Sequence, residues 1–426
     1  MTAVAGASIR AWLWRRWRDR TAWSTAADVF AILIAASLPW STSLVAAFVA
    51  AFLVSTAPFF DIRAFLRSLI SPVCALPIAL AMLAVLGTLW SPAPWSVRLY
   101  VLGPYGKLLV LPLLLYHFER SSRGVQVFTA FLASCAALMA LSWVVAFFPA
   151  MALKADAEYG VPVKNYIDQS QEFALCAVAL AYPAIMLLRE KRIWPAALLL
   201  ALSAGFVINM LFVTVSRTAL VTMPVMLAVF ALLHLRWRNI LIIACAAVFL
   251  AGLAWAVSPH LRKTSETFLR DYQLYKEHNI PTSLGLRLVF WRKSLRFFSE
   301  APLLGHGTGS IRALFEEAAV GQFGADAEVV ANPHNQTLDN AIQWGAAGVV
   351  LLYTMWLVHL LLFRGEGLAT FVGLMVVLQN IFTSLFNSHL VDFNEGWIYV
   401  LGVGIAGGMV LAGRAHEGAT VTPAGS

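Results

Sequence analysis

The stretch "RNILIIACAAVFLAGLAWAV", residues 238–257, has no charged side chain after Arg238. About 20 apolar residues in a helix cross the roughly 30 Å of hydrocarbon in a bilayer. The bilayer interior offers no water to unpaired backbone groups, so a segment of this kind has to form its hydrogen bonds internally, as a helix does. This stretch therefore predicts a membrane-spanning helix.

The rest of the chain repeats this pattern. Of its 426 residues, 60% are apolar and 12% are charged, whereas soluble domains carry about 25% charged residues. We predict an all-α polytopic membrane protein with about 12 transmembrane helices. The other eleven predicted spans lie at 27–39, 42–58, 72–90, 99–118, 125–149, 171–188, 193–213, 216–235, 336–363, 367–388 and 394–412.

Charge in the short connections predicts the orientation. Lys and Arg are more numerous in the connections on the side of the N-terminus, so the positive-inside rule places both termini in the cytoplasm. The expected organisation is a basic N-terminal segment (1–26), spans 1–9 (27–257), an outer loop (258–335), spans 10–12 (336–412) and a cytoplasmic tail (413–426). The formal charge of +8 is spread over separate loops, which favours contact with membrane lipids over nucleic-acid binding.

The long polar segment 258–335 interrupts the series of spans, and connections of this length usually carry function. Its stretch "LRLVFWRKSLRFF" (286–298) gives an apolar arc on a helical wheel, with Arg287 in the middle of that arc. A charge on an apolar face needs a counter-charge, so Arg287 is expected to point inward. It could bind an anionic substrate or form a structural ion pair.

Arg217, in "VTVSRTAL", follows Ser216 between two spans with almost no loop. An arginine in the first turn of a helix is unfavourable beside the positive end of the helix dipole unless an anion shares the site. Anion binding is therefore one interpretation. The alternative is a side chain that extends to the lipid headgroups.

The stretch "VVANPHNQTLDN" (329–340) places several polar residues directly before span 10. Asn332 suits an N-cap and Pro333 suits a first helical position, which would put His334 in the first turn. A helix N-terminus disfavours a protonated imidazole, and a general base must be neutral. His334 is thus a candidate base, although a lone histidine can also be a structural hydrogen-bonding group.

Other outer-side polar groups support this site more weakly. In "NSHLVDFNEGW", Asp392 and Glu395 lie in the last outer loop, where a carboxylate could orient His334, pair with an arginine, bind a sugar hydroxyl or cap the last helix. Lys107 in "GPYGKLLVLP" could extend to the headgroups instead. Gln169 in "NYIDQSQEF" is a further outer-side polar group, and its alternative role is simply to cap span 6.

Several kinds of chemistry lack their motifs in the sequence. It contains no phosphate-binding Gly-rich loop, no Cys or His pair at zinc spacing and no Gly-x-Ser-x-Gly elbow. The cysteines fall inside predicted spans and lack metal-ligand spacing. Two "DAE" triplets, 156–158 and 326–328, could hold a divalent cation with a diphosphate. Arginines can neutralise the same anion, so we predict no metal and no cofactor.

The stretches "SRTAL", "LGLRLVFWRKSLRFFSEAPLLGHGTGSI" and "NPHNQTLDNAIQWGAAGVV" resemble the O-antigen ligase family of the bacterial inner membrane. The resemblance covers roughly residues 214–351. It implies a GT-C-type membrane glycosyltransferase that moves O-antigen glycan from undecaprenyl diphosphate to a sugar hydroxyl of the lipid A core. The reaction would take place on the periplasmic face, which makes the 258–335 loop, between spans 9 and 10, periplasmic.

The resemblance also implies roles for individual residues. His334 matches the motif histidine, Arg217 and Arg287 match two essential arginines, and Asp392 matches the acidic residue of the last outer loop. Arginines suit a diphosphate because they are planar and permanently charged. We expect inversion at the anomeric carbon, with His334 as general base and the arginines holding the diphosphate. We also include Asn332, Asn335, Lys107 and Gln169 as supporting residues.

Three other functions compete with ligation. Two are sister activities of the superfamily, namely an O-antigen polymerase and a protein O-oligosaccharyltransferase. The third, a lipid-glycan transporter, predicts polar groups deep in several spans. The spans at 72–90 and 238–257 show no such groups.

Overall fold

The computed structural model describes residues 19–154, 158–214 and 216–421. Throughout these ranges the regular elements are helical and no strand is present. The α-helices are α1 (Arg20–Ser37), α2 (Thr42–Thr56), α3 (Ile62–Ser68), α4 (Pro72–Leu86), α5 (Trp95–Leu102), α6 (Val110–Phe118), α7 (Gly124–Phe147), α8 (Tyr166–Ala179), α9 (Ala181–Arg189), α10 (Ile193–Phe212), α11 (Arg217–His234), α12 (Trp237–Val257), α13 (Pro259–His278), α14 (Ser283–Glu300), α15 (Ile311–Ala319), α16 (Gln336–Leu362), α17 (Leu368–Thr383) and α18 (Phe393–Val421).

Eight helical segments of the described chain are long and apolar enough to cross a bilayer. They are Thr42–Phe59, Trp95–Phe118, Gly124–Phe147, Tyr166–Arg189, Ile193–Phe212, Trp237–Val257, Gln336–Leu362 and Phe393–Glu417. Helices α3 and α4 would make a ninth, but they are bent by 86° at the break between them. The all-helical membrane class is therefore confirmed, and the count of twelve spans stays a prediction.

The remaining predicted spans are helical but shorter or more polar. The apolar helical parts at Val221–His234 and Leu368–Thr383 are below spanning length. Helix α1 is not among the eight candidate spans. It packs against α2, to which a short connection joins it as a helical hairpin. Within Trp95–Phe118 a 3-10 segment, Gly103–Leu109, joins α5 to α6. Pro104 in this segment lacks the backbone N–H that a continuous helix needs.

Helix α18 lies at the centre of the molecule. Most of its spanning part is buried, and it packs against α6 and α17. The packing is close because α18 carries glycines where neighbouring backbones approach. A Cβ at Gly408 would lie 2.8 Å from the backbone nitrogen of Glu119 and 2.8 Å from the carbonyl oxygen of Leu115. The N-terminal end of α18, near Glu395, is thereby fixed relative to the other core helices.

Helix α16 is kinked at Gly345, whose φ of 60° and ψ of −150° interrupt the helix. Only glycine adopts this backbone region readily. The loop after α14 packs into the kink and takes over the backbone hydrogen bonds. The N–H of Ala346 donates to the carbonyl of Pro302 at 2.7 Å, and the N–H of His306 donates to that of Ile342 at 2.8 Å.

Segment 258–335 is largely helical and is built from α13, α14 and α15. Helix α14 packs against α16 with Phe290 and Phe297 buried, as the apolar arc of residues 286–298 predicts, but Leu295 of that arc is exposed and Val289, outside it, is buried. Lys293 lies on the side of the helical wheel opposite the apolar arc, which predicts exposure, yet it is buried and its ammonium donates to the carbonyl of Asp326. The side of the membrane on which this segment lies remains a prediction.

Candidate functional site

His334 lies before α16, not in its first turn. The helix begins at Gln336, and Asn335 is its N-cap, with a side-chain oxygen that accepts from the N–H of Leu338 at 3.1 Å. The prediction that Asn332 caps the helix was therefore wrong. His334 has φ = 53°, in the left-handed region that non-glycine residues seldom occupy. Such a conformation persists only where surrounding contacts hold it.

Asn332 and Asn335 supply those contacts. The side-chain oxygen of Asn332 accepts from the N–H of His334 at 2.8 Å and from the hydroxyl of Ser388 at 2.7 Å. The side-chain amide of Asn335 donates to the carbonyl of Leu385 at 3.2 Å. The bonds to Ser388 and Leu385 tie the His334 loop to the connection between α17 and α18, so that loop and connection form one wall of the site.

A hydrogen-bonded chain leads from His334 into the same connection. The imidazole Nδ1 lies 2.9 Å from Oδ1 of Asn387. Nδ2 of Asn387 donates to Oδ2 of Asp392 at 2.6 Å. Asp392 thus acts on His334 through Asn387 and does not contact the ring directly.

Helix α14 contributes the opposite wall. Arg287 is half-buried, and its charge acts on both His334 and His389. One turn further along, the ring of Phe290 stacks on the His334 ring, with centroids 6.1 Å apart and planes inclined by 25°. Burial lowers the pKa of His334 below 6.5, and the Arg287 charge lowers it further, although the Asn387 hydrogen bond opposes the shift. His334 is consequently neutral near pH 7, as a general base must be.

Lys107 is buried in the site and does not extend to the headgroups. Its ammonium donates to the carbonyls of Val391 at 3.0 Å and of Asp392 at 2.5 Å. Burial raises the pKa of the Asp392 carboxyl to about 6, and the Lys107 charge opposes this rise, while the neighbouring Asp168 adds to it. Glu395 lies in the first turn of α18 and not in the loop where we expected it.

His389 is almost fully buried, and neither of its ring nitrogens has a hydrogen-bond partner among the described residues. Nε2 lies 3.9 Å from Oδ2 of Asp392, which is too long for a hydrogen bond. Burial lowers the pKa of His389 to about 3, with the nearby Arg287 and His334 charges adding to the effect. The ring is therefore neutral at physiological pH.

His389, Asp392 and Glu395 form a possible metal-ligand group in the described chain. One ligand atom from each lies within 4.8 Å of the others. The Lys107 side chain lies beside this group, with its nitrogen donating to the backbone carbonyl of Asp392. Of the two acidic triplets, Asp156 lies outside the described residues, and Asp326 pairs with Arg292.

Two predicted residues are not placed in this cluster. Gln169 belongs to another network, in which its amide donates to the hydroxyl of Ser142 at 3.0 Å and to the carbonyl of Gly160 at 3.2 Å. It does not cap α8, because the N-cap is Asn165. Arg217 is the first residue of α11, as its sequence predicts, but its side chain lies outside the described residues.

The sequence reasoning missed Asn387, and it also missed a buried carboxylate in the first turn of α16. Asp339 of α16 accepts from the hydroxyl of Tyr105 at 3.1 Å and from the amide of Gln343 at 3.1 Å. Its position four residues after Asn335 places it one helical turn below the cap. That spacing was a usable signal, whereas the contact between Asn387 and His334 spans 53 residues and leaves no local pattern.

The comparisons with known proteins agree with the sequence motifs. Residues 202–353 match the family model described as O-antigen ligase. The matched part contains Arg217, Arg287 and His334, and it ends before Asp392. No curated protein matches the chain. The family match points to the superfamily of O-antigen ligases and polymerases. The apolar helices indicate a multi-pass membrane protein.

Proposed function

We propose that the chain is a glycosyltransferase that moves O-antigen glycan from undecaprenyl diphosphate to a sugar hydroxyl of the lipid A core. The observation that carries the proposal is the juxtaposition of a neutral imidazole, His334, with the cationic side chain of Arg287 at one end of the bundle. Such a transfer needs a base for the acceptor hydroxyl and a positive charge for the leaving diphosphate. In this proposal His334 is the base and Arg287 supplies the positive charge.

In the proposed mechanism, Nε2 of His334 accepts the proton of the acceptor hydroxyl. The hydroxyl oxygen attacks the anomeric carbon from the face opposite the diphosphate, and the glycosidic C–O bond breaks with inversion. Arg287 and Arg217 hold the diphosphate and stabilise the negative charge that develops on it. In this mechanism the two arginines neutralise the diphosphate as a metal ion would, so the proposed reaction is metal-independent and uses no cofactor.

The apolar part of the structure supports a lipid-linked donor. Glu172 of α8 and Asn394 at the start of α18 are joined by a hydrogen bond of 2.6 Å. One turn along the same helices, Leu175 and Ile398 line an apolar cavity whose walls come mainly from α7, α8, α17 and α18. A polyprenyl chain needs an apolar surface that begins close to the reacting diphosphate. In this proposal the site faces the periplasm of the inner membrane and both termini lie in the cytoplasm.

Polymerisation is the second candidate function, because the superfamily indicated by the match includes polymerases. Protein O-glycosylation is a third, with the same donor chemistry. All three use a hydroxyl acceptor and would use His334 in the same way. The three differ only in the acceptor, so the acceptor decides between them.

The test is a transfer assay with purified full-length protein in lipid nanodiscs. The donor is undecaprenyl-diphosphate-linked glycan, and the acceptors are lipid A core, a second lipid-linked O-unit and a pilin-like protein, supplied separately. The proposal expects glycan on lipid A core. Glycan on the protein alone, or only elongated donor, would refute ligation, and transport of intact donor without transfer would refute an enzyme.

A further inference from the structure

Asn387 occupies a decisive position beside the candidate base, although no sequence motif marks it. It lies in the connection between α17 and α18, and its backbone N–H donates to the carbonyl of Thr383 at 3.2 Å. Its side chain is half-buried between two partners, His334 on one side and Asp392 on the other. The amide group is thus held at its backbone and at both of its polar atoms.

The chemistry of the two partners fixes the direction of the chain. An ionised carboxylate can only accept hydrogen bonds, so the atom of Asn387 that faces Asp392 must be its NH2 group. The amide oxygen then faces His334, and an oxygen without hydrogen can only accept. The nitrogen of His334 that faces it, Nδ1, must therefore carry the proton.

A neutral imidazole has one protonated nitrogen, so a proton at Nδ1 leaves Nε2 with a free lone pair. We propose that Asn387 is a positioning residue that holds His334 in the Nδ1–H tautomer, with the Asp392 carboxylate fixing the direction of the amide. Asn387 touches neither the donor nor the acceptor in this scheme. The inference rests on the proposed role of His334 as the base of glycan transfer.

Two substitutions distinguish positioning from simple packing. Asn387→Ala removes both hydrogen bonds, so His334 should lose its tautomer preference. Asn387→Asp keeps an oxygen that accepts from Nδ1–H, and the carboxyl pair formed with Asp392 can share one proton. Positioning therefore predicts that Asn387→Asp resembles the unsubstituted protein. A packing role predicts the reverse order, because Asn387→Asp adds a negative charge beside Asp392 while Asn387→Ala adds none.

The first measurement is the ¹⁵N NMR spectrum of nanodisc-embedded full-length protein with labelled histidine at pH 8. The chain has 9 histidines, and the difference from a His334→Gln spectrum assigns the ring. We expect Nδ1–H in the unsubstituted protein and in Asn387→Asp, and a mixture with Nε2–H in Asn387→Ala. Unchanged Nδ1–H in Asn387→Ala would overturn the proposal. This readout needs no glycan, so it separates failure of this inference from failure of the proposed function.

The second measurement is kcat for glycan transfer at pH 8. Asn387→Ala should lower kcat by about 10- to 100-fold, the range for a misplaced catalytic group, with KM for the donor little changed. Asn387→Asp should stay within about threefold of the unsubstituted rate. The exposed Asn239→Ala is the matched control. A rate of Asn387→Ala equal to that of the control, or a rate of Asn387→Asp below that of Asn387→Ala, would overturn the proposal.

Discussion

The acid side of the pH–rate profile should report the ionisation of Asp392. Burial raises the pKa of Asp392 to about 6, and the pKa of His334 is lowered from 6.5. Asp392 is active as the carboxylate and His334 as the neutral ring, so both requirements are met above pH 7 and lost as the pH falls. The rate should thus be constant from pH 7 to 8 and should decline below pH 7.

The size of the decline follows from the pKa of Asp392. One pH unit below a pKa of about 6, protonated Asp392 outnumbers the carboxylate by about ten to one. The rate at pH 5 should therefore be at least about tenfold lower than the rate at pH 7 to 8. Protonation of His334 can only deepen the loss. In Asp392→Asn the amide does not titrate, so the contribution of Asp392 near pH 6 should vanish. The lower profile that remains should decline only with protonation of His334, whose pKa is lowered from 6.5.

The assay is transfer to lipid A core under saturating donor, with Glu300→Gln as the matched control because Glu300 pairs with Arg296 at the surface. A wild-type midpoint above pH 6.5 would contradict the lowered pKa of His334. An unchanged step near pH 6 in Asp392→Asn would show that another group titrates there, and the role given to Asp392 would be wrong.

Three further predictions concern the charges around the site. Arg287→Lys should raise the KM for the lipid diphosphate, since an ammonium cannot form two parallel hydrogen bonds to phosphate oxygens. The surface substitution Arg296→Lys is the control and should leave this KM unchanged. Equal KM values for Arg287→Lys and Arg296→Lys would exclude a diphosphate role for Arg287. Lys107→Met should destabilise the protein by about 2 kcal/mol, because it leaves two carbonyls without their donor. A thermal midpoint equal to that of the unsubstituted protein would refute this. Transfer should continue at the full rate in excess chelator, and a loss that Mg²⁺ restores would return the cation to the mechanism at His389, Asp392 and Glu395.

The membrane fold could largely be predicted from the sequence, because long apolar runs have few structures open to them in a bilayer. The kinks and bends of the helices could not be predicted. Whether α16 is straight or kinked at Gly345 depends on the backbone near Leu303, which lies some 40 residues away in sequence and fills the kink. The 86° bend between α3 and α4 falls between the predicted spans at 42–58 and 72–90, and the sequence does not predict its angle.

The candidate site was predictable where local chemistry is unusual. Arg287 on an apolar helical face and His334 before a span both stand out in the sequence. The residue at which α16 starts could not be predicted, because Asn332 and Asn335 are both good N-caps and tertiary contacts decide between them. Asn332 bonds instead to Ser388, 56 residues away. Asn387 could not be predicted for the same reason, since its role depends on His334, which only the fold brings close to it.

The measurement that tests the central claim most directly compares the full-length protein with His334→Ala, using purified protein, undecaprenyl-diphosphate-linked glycan and lipid A core. Donor binding, measured separately, serves as the control for folding. We predict that His334→Ala binds the donor normally and transfers glycan at least about 100-fold more slowly, as expected for loss of a general base. Transfer by His334→Ala at a rate close to that of the unsubstituted protein would contradict the account.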